Sequence, residues 1–245
     1  MFISPARAAA SAARRLVVTF YLYAFLDDFV LLYPVYALLF TDTGLSVAEI
    51  SSLFVIWAAT GILLEVPSGV WADMVSRRLL LAGAPLLGGL GFGLWVAAPS
   101  YWAFALGFVL WGARGALQSG ASEALVYEEL DRLGLADRYG RVIGRASTLS
   151  LLAVLLATAV AAPVFASGGY PAAGAASVLV SLLCAAVALA LPEHRAGTAG
   201  TASTGRTGDD AGSTDDAGST DDAGSTDDAG STDDAGSTDD AGSTD

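Results

Sequence analysis

Apolar residues in this chain gather into long blocks, and polar residues are mostly confined to the short stretches between them. The blocks lie near 16–40, 47–70, 79–97, 101–127, 142–166 and 170–191. A helix needs about 20 residues to cross a hydrocarbon core about 30 Å thick, and each block comes close to or exceeds that length. Gly, Pro and small polar residues punctuate the block ends: Thr43-Gly44-Leu45-Ser46, Pro99-Ser100, and Ser167-Gly168-Gly169-Tyr170-Pro171. The pattern predicts an all-α membrane protein with six transmembrane helices. Arg7, Arg14 and Arg15 precede the first block in the manner of a signal peptide. That block is longer than a signal core of roughly 7–15 residues, so it reads as an uncleaved first helix.

Composition agrees: 54% of the 245 residues are hydrophobic and 15% charged. The net charge of −13 belongs to one end. Residues 1–200 carry 11 Arg and 12 acids, whereas residues 201–245 carry 1 Arg and 13 Asp. From Asp209 the chain repeats Asp-Asp-Ala-Gly-Ser-Thr six times and ends at Asp245. Such a segment has nothing to bury and is expected to be a disordered acidic tail. Its Asp spacing fits neither helix–loop–helix calcium sites nor glycine-rich nonapeptide repeats. The division expected is a cytoplasmic arm at 1–15, a helical domain at 16–195 and the tail at 196–245. Cys184 is the single cysteine, which excludes an internal disulfide. The only His, His194, follows the last block and reads as a solvated loop residue. With no His inside a block, intramembrane Ser–His proteolysis and His-ligated metal chemistry are both disfavoured. No cofactor is expected.

Arginine positions give an orientation. Of the 12 Arg, eleven fall in the N-terminal arm, the 71–78 and 128–145 segments, and beyond the sixth block. The three intervening connections have none, so both termini are expected in the cytoplasm. The 128–145 segment mixes charge with leucine spacing and is expected to lie as a helix on the inner surface. Pairs of small residues four apart, Gly89/Gly93, Ala116/Gly120 and Ala172/Ala176, are expected at helix packing faces.

Ionisable residues at membrane depth are costly and mark interior surfaces. Asp27 and Asp28 lie near the middle of the first block and Arg114 in the inner half of the fourth. Adjacent residues are about 100° apart around a helix, so Asp27 and Asp28 cannot share one face. Asp27 and Arg114 differ in depth by roughly 7 Å, within reach of an Arg side chain. A cluster of Asp27, Asp28 and Arg114 is therefore expected to line a central cavity, where it carries a proton, meets a cationic substrate, or acts as a static ion pair. Glu65 and Glu123 lie near the inner interface, where snorkelling or pairing with Arg is expected.

The segment Glu65-Val-Pro-Ser-Gly-Val-Trp-Ala-Asp-Met-Val-Ser-Arg-Arg78 joins the second and third blocks. The fourth contains Gly112-Ala-Arg-Gly-Ala-Leu-Gln-Ser-Gly-Ala-Ser-Glu-Ala-Leu-Val-Tyr127. Together with the six-block layout, these resemble the N-terminal half of major facilitator superfamily transporters over residues 16–195. The resemblance implies a 3+3 inverted repeat with the substrate site between two six-helix halves. It also implies roles for single residues. Gly69 would allow close approach to a helix of the other half. Asp73 would face that helix's positive end and hold the outward-facing state. Arg77 would bridge Asp73 to Glu123 or Glu128. Met74 and Ser76 depart from the family's Arg and Gly at those positions.

The function expected from this resemblance is membrane transport of a small organic solute, proton- or ion-coupled and efflux-like, at the plasma membrane, rather than enzymatic catalysis. Expected partners are lipid, the solute, protons, and a second six-helix half from the same gene, a separate chain or a second copy. The repeat lies where such transporters carry the linker between halves, and an interrupted gene would explain it. A non-transporting scaffold or inactive remnant is the alternative.

Overall fold

The computed structural model describes residues 5–193, apart from the side chains of 5–9 and 69–73. The expected acidic tail and His194 lie outside the described residues. Among those described, the chain forms helices α1 (Pro5–Asp28), α2 (Tyr36–Asp42), α3 (Val47–Met74), α4 (Arg77–Ala97), α5 (Tyr101–Arg132) and α6 (Tyr139–Leu189), with a single 3-10 turn at Ala136–Arg138. No regular element among the described residues is a strand. Among the described residues, three stretches are long and apolar enough to cross a membrane: Val47–Ser68, Arg77–Ala97 and Ala136–Leu189. α1 and α5 have the length, 24 and 32 residues, but carry charge along their course.

The first block is not one helix. α1 begins inside the expected arm, at Pro5, and ends at Asp28, and helix resumes only at Tyr36. Pro34 explains the break. It cannot donate to the carbonyl four residues back, and it disfavours helical geometry at Tyr33. Backbone groups freed in an apolar setting need other partners. The Asp27 carbonyl accepts from Arg114 Nη2 at 2.8 Å, and the Leu32 amide donates to Ser177 Oγ at 3.0 Å.

α3 starts with a capping box. Ser46 Oγ accepts from the Glu49 amide at 3.3 Å, and the Glu49 carboxylate accepts from the Ser46 amide at 2.8 Å. The helix continues through Pro67 to Met74, so most of the 65–78 segment is helix and the turn is only Val75–Ser76. The surface helix expected at 128–145 is also absent. α5 takes its first residues, and Gly134 at φ +68° ends α5 with the Leu135 amide bonded to the Leu130 carbonyl at 2.8 Å. The buried Leu130 and its partner Leu135 pack in the same apolar cluster, so the turn is held by burial too.

At about 1.5 Å per residue, the 51 residues of α6 would run roughly twice a bilayer's depth as one rod. Gly168 and Gly169 leave helical geometry, and Gly169 at φ 62° needs glycine's freedom. Contacts with α1 and α2 show that the chain doubles back there. Ser150 bonds the Ala24 carbonyl, Tyr170 bonds Asp42, Ser177 bonds Leu32, and Cys184 lies against the Tyr23 carbonyl.

α4 is the centre of the bundle: 56% of its most apolar window is buried, against 6% for α3. It packs on α5 and α6, while α3 leans on α5 and α1 on α6. Close approach uses Gly89, whose added Cβ would stand 2.8 Å from Ser181 Cβ. Two of the small-residue faces expected from spacing differ. Gly120 meets nothing within 4 Å. The buried face near Ala172/Ala176 is Ala173, Gly174 and Ser177 instead. Two buried clusters result. One gathers Leu16, Phe20, Tyr23, Leu81 and Leu125; the other gathers Leu32, Phe40, Phe92, Trp95, Phe104 and Phe108.

Candidate functional site

Between these two apolar clusters lies a charged layer. Asp27 and Arg114 are 6% and 5% exposed, and Arg114 Nη2 stands 2.7 Å from Asp27 Oδ1. Arg114 also donates to the Asp27 carbonyl at 2.8 Å and to Tyr33 Oη at 3.1 Å. Gln118 Nε2 donates to Asp27 Oδ2 at 2.7 Å, and Cys184 Sγ lies 3.9 Å from Asp27 Oδ1. A carboxylate in an apolar interior is tolerated only when paired and hydrogen-bonded, and here both oxygens are occupied. Gly88 of α4 makes the room: a Cβ there would stand 2.9 Å from Arg114 Cδ. The guanidinium thus joins α5 to the end of α1 and to the irregular segment after it. A movement of either helix must strain or exchange these bonds.

Asp28 points elsewhere, as the 100° step requires. It lines a cavity of about 170 Å³ with Glu123, Gln118 and Tyr23, between α1, α5 and the first arm of α6. Of the residues expected to form one cluster, the structure brings Asp27 and Arg114 into contact and sets Asp28 beside them on the cavity wall.

At the N-terminus of α4, Arg77 forms an ion pair with Glu128 of α5. Of the two acids expected for Arg77, Glu128 holds this pair and Glu123 belongs to the cavity wall. The surroundings of Gly69 and the side chain of Asp73 lie outside the described residues. Ser76 caps α4 and accepts from the Leu79 amide at 3.3 Å. The Glu193 carboxylate accepts from the Ser76 hydroxyl and, at 2.8 Å, from the Arg77 amide. A carboxylate at a helix N-terminus meets orphan amides and the positive end of the dipole. Glu193→Ala is expected to lower stability by about 1–2 kcal/mol, with Glu193→Gln losing less because its one amide oxygen can still accept from the Arg77 amide. Chemical unfolding followed by tryptophan fluorescence reads both.

Several of these residues are outside the sequence expectations. Gln118 stands four residues after Arg114, so the two share a helix face, and a polar side chain at that depth is itself a signal. Tyr33 precedes the Pro that breaks the first block. Glu193 gave no signal, because its role depends on a contact across more than a hundred residues. Among the described residues, no group of three or more His, Cys, Asp and Glu is placed to hold a metal.

The family model of the Major Facilitator Superfamily matches residues 17–219 of this chain. No curated protein and no solved structure matches it.

Proposed function

We propose that this chain, which belongs to the major facilitator superfamily, carries a small organic solute across a membrane by alternating access, driven by protons or another ion. The observation that carries the reading is the buried Asp27–Arg114 pair, lodged where the first block loses its helix. Charge and irregular backbone at that depth are retained in transporters where they serve the solute or the coupling ion. In this reading six helical segments span the plasma membrane as a 3+3 repeat, with both termini in the cytoplasm. The exposed apolar faces of α3, with Val55, Ile62, Leu63 and Val66 all open, support a second helical unit beside it or lipid. The solute path runs between this unit and its complement.

Asp73 and the Arg77–Glu128 pair form the cytoplasmic latch of one state in this reading. Asp73→Asn is expected to abolish transport while leaving membrane insertion intact. Membrane vesicles from cells producing the full gene product, challenged with a solute panel and followed by an internal pH dye, test it. Solute-dependent proton movement in the parent that vanishes in the variant supports the assignment. Equal movement in both removes Asp73 from the latch, and no movement with any solute favours a scaffold without transport.

A further inference from the structure

The cavity beside the charged layer has a chemistry of its own. It is small, about 170 Å³, well below the roughly 300–1,000 Å³ of pockets for drug-sized ligands. Three carboxylates, Asp27, Asp28 and Glu123, line it, and no described Lys, Arg or His lies within ion-pair distance of Asp28 or Glu123. Asp27 is different, because Arg114 and Gln118 already occupy it.

The neutral groups on the wall point the same way. Ser122 and Ser147 spend their hydroxyl protons on the carbonyls of Ser119 and Ile143. Gln118 spends an amide proton on Asp27. What these side chains have left for an occupant is mainly acceptor oxygens. A second, independent feature is Tyr23, 1% exposed, which lines the cavity and whose hydroxyl is buried without a hydrogen-bond partner. Such an orphan is unfavourable unless something completes it. Phe20 adds an aromatic wall.

An acceptor-rich, donor-poor, net negative cavity repels anions and offers little to neutral solutes. It suits a group with several donors and a positive charge. We propose that this cavity recognises a primary ammonium group carried on a small apolar body, with Asp28 and Glu123 pairing the charge and the Tyr23 oxygen accepting one N–H. This rests on the transport reading above and names the class of solute that the site takes.

The test uses the full chain in lipid nanodiscs, with radiolabelled benzylamine and its neutral isostere benzyl alcohol in equilibrium dialysis at neutral pH. Benzylamine is expected to bind at least tenfold more tightly than the alcohol. Asp28→Asn and Glu123→Gln are each expected to lose tenfold or more of the amine affinity. Tyr23→Phe is expected to lose about threefold for the amine and nothing for the alcohol. Asp28→Glu keeps the charge and should stay within threefold of the parent, which separates recognition from misfolding. Equal binding of amine and alcohol overturns the proposal, as does parental amine affinity in both Asp28→Asn and Glu123→Gln. Vesicle assays separate this from the transport reading. Charge-dependent benzylamine binding without carriage keeps the site and removes transport. Carriage of neutral solutes without amine binding keeps transport and removes the site.

Discussion

Arg114→Leu is expected to be the most damaging single substitution in the bundle. It leaves Asp27 Oδ1, the Asp27 carbonyl and the Tyr33 hydroxyl without the donor they share, while Gln118 still bonds the other carboxylate oxygen. Breaking a buried ion pair from one side costs about 3–5 kcal/mol, because the surviving charge stays buried. Asp27→Asn should cost less. The asparagine still accepts from Gln118, and Arg114 keeps the Asp27 carbonyl and Tyr33. In the double variant Asp27→Asn/Arg114→Leu neither charge remains, so at least half of the loss caused by Arg114→Leu should return. Chemical unfolding of all four proteins completes the cycle. Losses that simply add would mean that the two residues do not act as a pair.

The second large effect is steric. A Cβ at Gly107 would overlap Trp95 Nε1, and Trp95 is fully buried with its indole N–H on the Phe104 carbonyl at 3.1 Å. Gly107→Ala must therefore push α4 from α5 or expel the indole. Overpacking a close core costs typically about 1–3 kcal/mol, and the displaced indole N–H adds to that. Gly120 is the control, on the same helix and with nothing within 4 Å. Gly120→Ala should be neutral or stabilising by up to about 1 kcal/mol from helix propensity alone. Thermal unfolding should separate the two variants clearly. A similar midpoint in both would mean that α4 and α5 do not meet at Gly107 as described.

Block ends are legible in the sequence wherever glycine, proline or a capping residue acts locally, as at Gly44–Ser46 and Gly168–Gly169. The break after Asp28 is harder to read, although Pro34 stands beside it. Its partners are Arg114 and Ser177, 87 and 145 positions away from the groups they bind. The Asp27–Arg114 contact follows from rise per residue, but which of two neighbouring Asp meets the Arg depends on the rotation of α1. That rotation is set by packing. Spacing of four likewise finds Gly89 but misses the phase of α6, where Gly174 rather than Ala172 meets Val96. Glu128 and Glu193 owe their roles to tertiary contact, although Glu128 is one of the two acids expected for Arg77.

Carriage of solute through a site built around the Asp27–Arg114 layer is the activity expected of this chain. Solute counterflow tests it most directly. Vesicles holding the full gene product are loaded with an unlabelled solute, and uptake of trace label is followed over time. The expected result is a transient accumulation of label above equilibrium for at least one member of an amine-containing panel, absent in Arg114→Leu and partly restored in Asp27→Asn/Arg114→Leu. Only a carrier that exposes one site alternately to each side produces that overshoot. An overshoot of equal size in Arg114→Leu, or none with any solute in the parent, would contradict the account.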